Sequence, residues 1–141
     1  MTAFSQSDYL SIFTHAPAEA VKALAEAILP DLGAIQVLKN RTGLVMLPYS
    51  DSAGGVTFHL GEILVSEAHI QLENGTEGYA LVTGRDLVLA VGIAVLDAAM
   101  QTGIHTETIT AFLVQAHADQ AAADDHLLKQ VEATRIEMET F

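Results

Sequence analysis

The pattern of apolar and polar residues at the start of the chain predicts two short helices. Residues 5–14 form the first candidate, and Pro17 opens a second one that ends near Pro30 and Gly33, residues that commonly mark helix boundaries. Apolar residues recur at spacings of three and four in the second segment and form one side of the first; they are Tyr9, Leu10, Ile12 and Phe13, then Val21, Leu24, Ala25 and Ile28. The sequence therefore predicts an N-terminal helical hairpin.

From Ala34 the pattern changes to runs that are typical of β-strands. The runs AIQVLK and LVMLPY flank the turn candidate NRTG, which occupies residues 40–43. This arrangement predicts a first β-hairpin, and SDSAGG at residues 50–55 predicts the loop that follows it.

A second hairpin is predicted in residues 56–84, because Asn74-Gly75 favours a two-residue turn with positive φ at both positions. Pairing about that turn defines an apolar face and a wetter face. In this pairing Ile70 lies opposite Tyr79 and Ala68 opposite Leu81, and these four residues share the apolar face with Leu64 and Leu72. The wetter face, which is more exposed to water, carries Glu67, His69 and Gln71. With the first hairpin, this predicts an antiparallel sheet of about four strands.

Two further helices are predicted after the sheet. The first spans residues 86–101 and covers the apolar face of the sheet, and the second runs from about Thr108 to Met138. The long helix has a broad apolar stripe, which contains Ile109, Phe112, Leu113, Ala116, Ala123, Leu127, Val131 and Met138. Because strands and helices are segregated and no linker or repeat is present, we expect a single α+β domain over residues 1–141.

The charge balance narrows the possible partners. Eighteen acidic residues face six basic ones, and the net charge is −12. Such a surface repels nucleic acid and anionic membranes unless its few cations cluster. The longest apolar run, Leu87–Leu96, is much shorter than the roughly 20 residues of a membrane span. We therefore expect neither a nucleic-acid partner nor a membrane.

The residue types exclude several kinds of chemistry. The absence of cysteine rules out disulfides and thiolate catalysis, and the opening residues show no basic leader, so we expect a cytoplasmic protein. Six histidines occur, but their spacings do not fit a metal site. No nucleophile elbow or glycine-rich phosphate loop is present, and we expect no metal and no cofactor bound by this chain alone.

Two further sites in the sequence contain candidate functional residues. Arg85-Asp86 lies between an apolar strand and an apolar helix; Gly84 allows a tight turn there, and Asp86 is expected to cap the helix. Arg85 has a planar fork suited to a carboxylate or phosphate, with an ion pair favoured over a substrate contact. Asp97 interrupts the same apolar helix, on a line that also contains Ala90, Ala94 and Gln101. That line is either a thin solvent edge, a narrow strip of the helix exposed to water, or a surface on which another subunit packs.

Several segments together resemble a known family. They are TGLVML (42–47), FHLGEILVSEAHIQL (58–72), GYALVTGRD (78–86), AVLDAAM (94–100) and ATRIEMETF (133–141). In this order and spacing they resemble the phosphonate metabolism protein PhnG, a subunit of the bacterial carbon-phosphorus lyase system. The combination of Gly61-Glu62, Gly78-Tyr79, Gly84-Arg85-Asp86 and Asp97-Ala98 is the most specific part of the resemblance.

The resemblance implies membership of a cytoplasmic complex with PhnH, PhnI and PhnJ. That assembly couples an alkylphosphonate to the ribose of ATP and releases adenine, so ATP is a substrate of the complex. The family implies no catalytic residue in this chain. A chain of net charge −12 without a phosphate motif is also poorly suited to hold ATP alone. We therefore expect the active site to lie mainly on a partner.

Two functions remain open at this point. The first is an accessory subunit that forms interfaces, with Arg85 and Asp86 as its main residues and Glu62 and Tyr79 as neighbours on the sheet rim. The second is a self-sufficient protein that binds or isomerises a phosphorylated metabolite, with Glu62, His69 and Arg85 in a cleft at the sheet edge. For the first, the mean hydropathy of +0.34 predicts an apolar patch and self-association of the isolated chain.

Overall fold

The computed structural model describes residues 4–50 and 57–139, with side chains described at all of these except 47–50, 57–60 and 129–139. Helices and strands are segregated along the chain, which confirms the α+β class. In chain order they are α1 (Gln6–His15), α2 (Ala18–Ile28), a 3₁₀ turn (Leu29–Leu32), β1 (Ile35–Ser50), β2 (Thr57–Leu72), β3 (Glu77–Thr83), α3 (Leu87–Thr102) and α4 (Thr106–Glu139).

The described strands form one antiparallel sheet in the order β1-β2-β3. β3 pairs only with residues 65–71 of β2, whereas β1 pairs along nearly the whole of β2. Residues 44–50 and 57–64 therefore form a two-stranded segment without a third strand beside it, which we call the arm. The loop predicted at 50–55 lies outside the described residues, apart from Ser50 at the end of β1.

The described sheet has three strands rather than about four, because the turn predicted at residues 40–43 does not form. Asn40 and Gly43 lie inside β1 and face Ala68 and Val65 of β2. Neither Asn40 nor Gly43 has positive φ, which a tight hairpin turn requires. Continuous pairing with the long strand β2 thus outweighs the local turn signal, as tertiary context often does in strands.

The predicted hairpin at Asn74-Gly75 forms, but its register is one residue off the prediction. Gly75 has φ +89° and donates from its amide to the Leu72 carbonyl at 3.0 Å, while the Leu72 amide donates to the Thr76 carbonyl at 2.8 Å. These bonds define a three-residue loop, a turn followed by a left-handed glycine.

The longer loop shifts the pairing by one residue, which turns every side chain of β3 to the face opposite the predicted one. Ile70 faces Gly78 and Ala68 faces Ala80, so Tyr79 and Leu81 point away from the core. The prediction that Tyr79 and Leu81 lie on the core face is therefore wrong.

Helix α3 lies at the centre of the molecule. Its side chains from Leu89 to Ala99 are buried except at the half-buried Val91, and it packs against the inner face of β2 and β3. The two predicted N-terminal helices are present, and both contact α3 from the other side. Burying a large aliphatic side chain stabilises a fold by about 1.5–3 kcal/mol. The remaining core residues include Phe13, Val21, Ile70, Ile109 and Leu113.

Helix α4 joins this core only through its first turns. Ile109, Leu113 and Ala116 are buried, but Leu127 is 58% exposed and Ala123 is also exposed. The predicted core stripe thus ends near Ala116; the side chains of its last members, Val131 and Met138, lie outside those described. Within the described residues, no helix has both the length and the apolar character that a membrane span requires.

Candidate functional site

The turn between β3 and α3 is held by a buried serine. The Ser66 hydroxyl donates to the Gly84 carbonyl at 2.8 Å and accepts from the Asp86 amide at 2.9 Å. The Gly84 amide donates to the Leu64 carbonyl at 2.7 Å, and Gly84 has φ +90°, which only glycine adopts easily. These bonds fix the backbone on both sides of Arg85.

Asp86 caps α3, as predicted. Its carboxylate accepts from the Leu89 amide at 3.0 Å and also pairs with Lys22 Nζ of α2 at 3.1 Å. The bond from the Leu89 amide, together with Lys22, lowers the pKa of Asp86, since both stabilise the ionised carboxylate. The side chain of Asp86 is therefore engaged inside the chain, where it ties α2 to the start of α3.

Arg85 and Glu62 are exposed and lie near the base of the arm. Arg85 follows Gly84, which bonds Leu64 of β2, and Glu62 faces Met46 of β1. Neither Arg85 nor Glu62 makes a hydrogen bond or ion pair with any residue that the structure describes. Their charged groups are thus available to another molecule.

Asp97 is fully buried at the junction of α1, α3 and β3. It accepts hydrogen bonds from the Tyr79 amide at 3.0 Å, from Gln6 Nε2 at 3.2 Å and from the Tyr9 hydroxyl. Burial and then the bond to Asp97 raise the pKa of Tyr9, so this hydroxyl stays protonated. The expectation of a thin solvent edge is wrong for Asp97, Ala90 and Ala94, because these three side chains are fully buried where α3 packs against its neighbouring elements.

Gly78 explains why α3 comes so close to β3. A Cβ atom at Gly78 would lie 2.0 Å from the Ala94 carbonyl oxygen and 3.1 Å from the Ala98 Cβ. Only glycine therefore permits this crossing. Two pairs that support the family resemblance, Gly78-Tyr79 and Asp97-Ala98, thus form a single contact between β3 and α3.

The outer face of the sheet carries a ladder of polar side chains. Tyr79 is 41% exposed, and its hydroxyl donates to Glu67 Oε2 at 2.6 Å. Arg41 Nε donates to Glu67 Oε1 at 2.9 Å, and His69 lies 3.3 Å from the carboxylate of Glu77. The bonds from Tyr79 and then Arg41 lower the pKa of Glu67, and the bond to Glu67 raises the pKa of Tyr79.

An open depression of about 340 Å³ lies beside this ladder. Its polar wall is formed by Arg41, Glu67 and Tyr79, and its apolar wall includes Val45, Val65 and Leu81. In the polar wall, Glu67 already accepts hydrogen bonds from Arg41 Nε and from the Tyr79 hydroxyl. The depression is therefore better suited to contact a protein surface than to hold a highly charged small molecule.

The described part of the arm exposes apolar side chains on both faces. Leu44 is 62% exposed, and the next two residues, Val45 and Met46, are exposed as well. A two-stranded ribbon without further packing is only marginally stable in water. Consecutive exposed apolar residues on such a ribbon are typical of a surface that a partner covers.

The structure does not assemble the cleft expected for a self-sufficient enzyme. Glu62 and His69 are seven residues apart on β2, about 24 Å at 3.4 Å per residue, and they lie on opposite faces. Glu62 and Tyr79 are likewise not neighbours, because Tyr79 pairs with His69. In the described parts of the chain, no three His, Asp or Glu side chains are grouped so that they could hold a metal ion.

The sequence analysis did not predict the contacts of four residues that organise this site: Gln6, Tyr9, Lys22 and Ser66. It named Tyr9 only as an apolar residue of the first helix. Ser66 had a usable signal, because it is a polar residue among the apolar inner-face positions of β2. Gln6, Tyr9 and Lys22 had none, since their partners are far away in the sequence. The Tyr9–Asp97 contact, for example, joins residues 88 positions apart.

Taken together, these features define a small α+β protein whose free functional groups lie on exposed surfaces rather than in a closed pocket. Its sequence matches the family described as phosphonate metabolism protein PhnG over residues 5–141, and the chain belongs to that family.

A curated relative from Rhizobium meliloti (strain 1021) is described as alpha-D-ribose 1-methylphosphonate 5-triphosphate synthase subunit PhnG. It is 34% identical over 100 residues. The matched segment covers 71% of this chain and 64% of the relative, so the chain spans less than two thirds of the relative's length.

Proposed function

We propose that this chain is an accessory, interface-forming subunit of an α-D-ribose 1-methylphosphonate 5-triphosphate synthase. In this proposal the complex couples an alkylphosphonate to the ribose of ATP, releases adenine and prepares the substrate for carbon-phosphorus bond cleavage in the cytoplasm. The partners are PhnH, PhnI and PhnJ. The observation that carries the proposal is the match to a relative described as a subunit of that synthase.

The distribution of charged groups supports an accessory role. Recognition of a triphosphate and a phosphonate requires clustered cations or a metal ion. Of the six Lys and Arg residues, Lys22 pairs with Asp86 and Arg41 pairs with Glu67. We infer that ATP and phosphonate bind mainly to groups of the partner subunits, with no cofactor held by this chain alone.

Arg85 is the residue that we assign to a contact with the assembly. The Ser66 bonds hold the backbone around it, and its guanidinium has no partner among the described residues. A rigid backbone lowers the entropy cost of presenting a long side chain. Its fork then suits a carboxylate of a partner subunit or a phosphate oxygen at a shared active site.

The proposal is tested by producing the tagged chain together with PhnH, PhnI and PhnJ from the same genome. We expect the three partners to co-purify with it and the mixture to release adenine from ATP and methylphosphonate. Omitting only this chain should abolish or strongly reduce that release. The proposal fails if the partners do not co-purify, or if calorimetry shows that the chain alone binds a phosphorylated metabolite saturably and turns it over.

A further inference from the structure

The two edges of the sheet differ in how their backbone groups are satisfied. At the β3 edge, the Tyr79 amide donates to Asp97 and the Glu77 carbonyl accepts from Gln101 Nε2 at 2.9 Å. Helix α3 thereby covers this edge. From Ile35 to Met46, by contrast, the backbone of β1 makes no hydrogen bond to any described element except β2. An uncovered edge of this kind is a template for another strand.

The free edge of β1 contains a regular stretch of suitable length. Register irregularities lie between Val37 and Lys39 and again between Leu47 and Pro48. Between them, residues 39–47 pair with β2 without interruption. Bulges normally obstruct strand addition, but this stretch has none, and its nine residues span about 30 Å at 3.4 Å per residue.

The charge on this stretch indicates what kind of strand fits. Lys39 and Arg41 lie in it, and residues 35–50 contain no acidic residue. This is a cationic segment in a chain of net charge −12. Arg41 pairs with Glu67 of β2 through Nε, but its side chain is still 67% exposed. Next to the two cations, Leu44, Val45 and Met46 offer apolar surface on both faces. A complementary strand is therefore apolar at one end and acidic at the other.

Among the described strands of a second copy, neither of the two edge strands provides such a segment. Its own β1 brings no carboxylate to Lys39 and Arg41, and its β3 edge is covered by α3. Two copies also bring net charges of −12 together, which repel each other. The chemistry of the edge thus favours a different chain.

We propose that β1 accepts an extended acidic and apolar segment of a partner subunit as a fourth strand along residues 39–47. Main-chain hydrogen bonds to the free edge hold the segment, the cations bind its carboxylates, and residues 44–46 bind its apolar side chains. This inference rests on the proposed function, because the partner is a subunit of the same complex.

Hydrogen exchange on the co-purified complex tests the proposal. In an edge strand, alternate amides point away from the neighbouring strand, and strand addition protects just these. We expect the rapidly exchanging amides of residues 39–46 to slow by about tenfold or more in the complex. If the complex forms but these amides exchange as in the isolated chain, strand addition is refuted while the proposed function stands.

Two substitutions of equal chemistry and exposure provide the control. Leu44 and Leu128 are 62% and 63% exposed, so Leu44→Gln and Leu128→Gln perturb the fold to the same small extent. We expect Leu44→Gln to weaken binding of the partners about tenfold and Leu128→Gln to leave it unchanged. Equal binding by the two variants contradicts the proposal. So does a homodimer of the isolated chain that protects the same amides, since a second copy would then be the occupant.

Discussion

At the residue scale, Arg85 and Asp86 are adjacent in the chain but have separate roles. The carboxylate of Asp86 bonds the first turn of α3 and Lys22, while the Arg85 side chain makes no hydrogen bond or ion pair with a described residue. A helix cap and an exposed arginine can both be inferred from the sequence, because glycine, a charged pair and an apolar run occur in order. The ion pair of Asp86 with Lys22 could not be inferred from the sequence, because Lys22 lies 64 positions earlier.

Asp86→Ala should lower the free energy of unfolding by about 0.5–2 kcal/mol, because the first-turn amides lose their acceptor. Assembly with the partner subunits should survive.

Arg85→Lys should melt like the parent but bind the partners more weakly, since lysine keeps the charge and loses the bidentate fork. Thermal melts and pull-downs of both variants give the answer. If the Arg85→Lys variant assembles and supports phosphonate use like the parent, the contact that we assign to Arg85 is contradicted.

The lowered pKa of Asp86 also predicts how stability depends on pH. The ordinary pKa of an aspartate is about 3.9, and the folded value lies below it. The stabilisation is therefore complete above the unfolded value and is lost as the pH falls through the folded one. Urea unfolding between neutral and acidic pH should show this loss in the parent and a smaller one in Asp86→Asn, which still caps the helix. Identical acid profiles would contradict the role of the charge.

At the element scale, the crossing of α3 over β3 organises the fold. Sequence periodicity predicted α3, the long C-terminal helix and the hairpin that contains Asn74. It did not predict that β1 is continuous or that Asp97 is buried. The first depends on the pairing of residues 40–43 with residues 65–68 of β2, which lie 22 to 28 positions later, and the second on the packing of α1 against α3. A local pattern records neither.

Gly78→Ala tests the crossing directly. The added Cβ would lie 2.0 Å from a backbone oxygen of α3, so the helix must shift, at a cost of about 1–3 kcal/mol or more. Gly43→Ala is the matched control in β1, because nothing lies within 4 Å of its added Cβ and its φ is not positive. We expect that control to change stability by less than about 0.5 kcal/mol. Equal denaturant midpoints for the two variants would show that α3 does not approach so closely.

At the scale of the whole molecule, the charge of −12 and the exposed arm act in opposite directions. The charge keeps copies apart, whereas apolar residues such as Leu44 favour contact. Their balance determines how the isolated chain behaves and how it meets its partners.

The isolated chain should self-associate weakly at high concentration, and added salt should strengthen the association, because salt screens the repulsion between copies. Binding of the partners through Lys39 and Arg41 should instead weaken with salt. Sedimentation at two ionic strengths measures the first effect. A strictly monomeric profile under both conditions would contradict it.

The purified chain should release no adenine from ATP in the presence of methylphosphonate, since its six Lys and Arg residues face eighteen Asp and Glu residues, and Lys22 and Arg41 already pair with carboxylates. Chromatographic detection of adenine provides the measurement, and the co-purified complex is the positive control. Steady turnover by the chain alone would overturn the accessory role.

The Asp97 junction also has a consequence for synthesis of the chain on the ribosome. Gln6 and Tyr9 in α1 reach their acceptor only when Asp97 has been made, about 90 residues later. At about 5–20 residues per second, that interval is roughly 4 to 18 seconds. During this time α1 lacks its acceptor, and its apolar side chains Ile12 and Phe13 lack the residues of α3 and α4 against which α1 packs in the fold. Helix α1 is thus translated well before the residues on which it docks, so its docking is a late step of folding during synthesis.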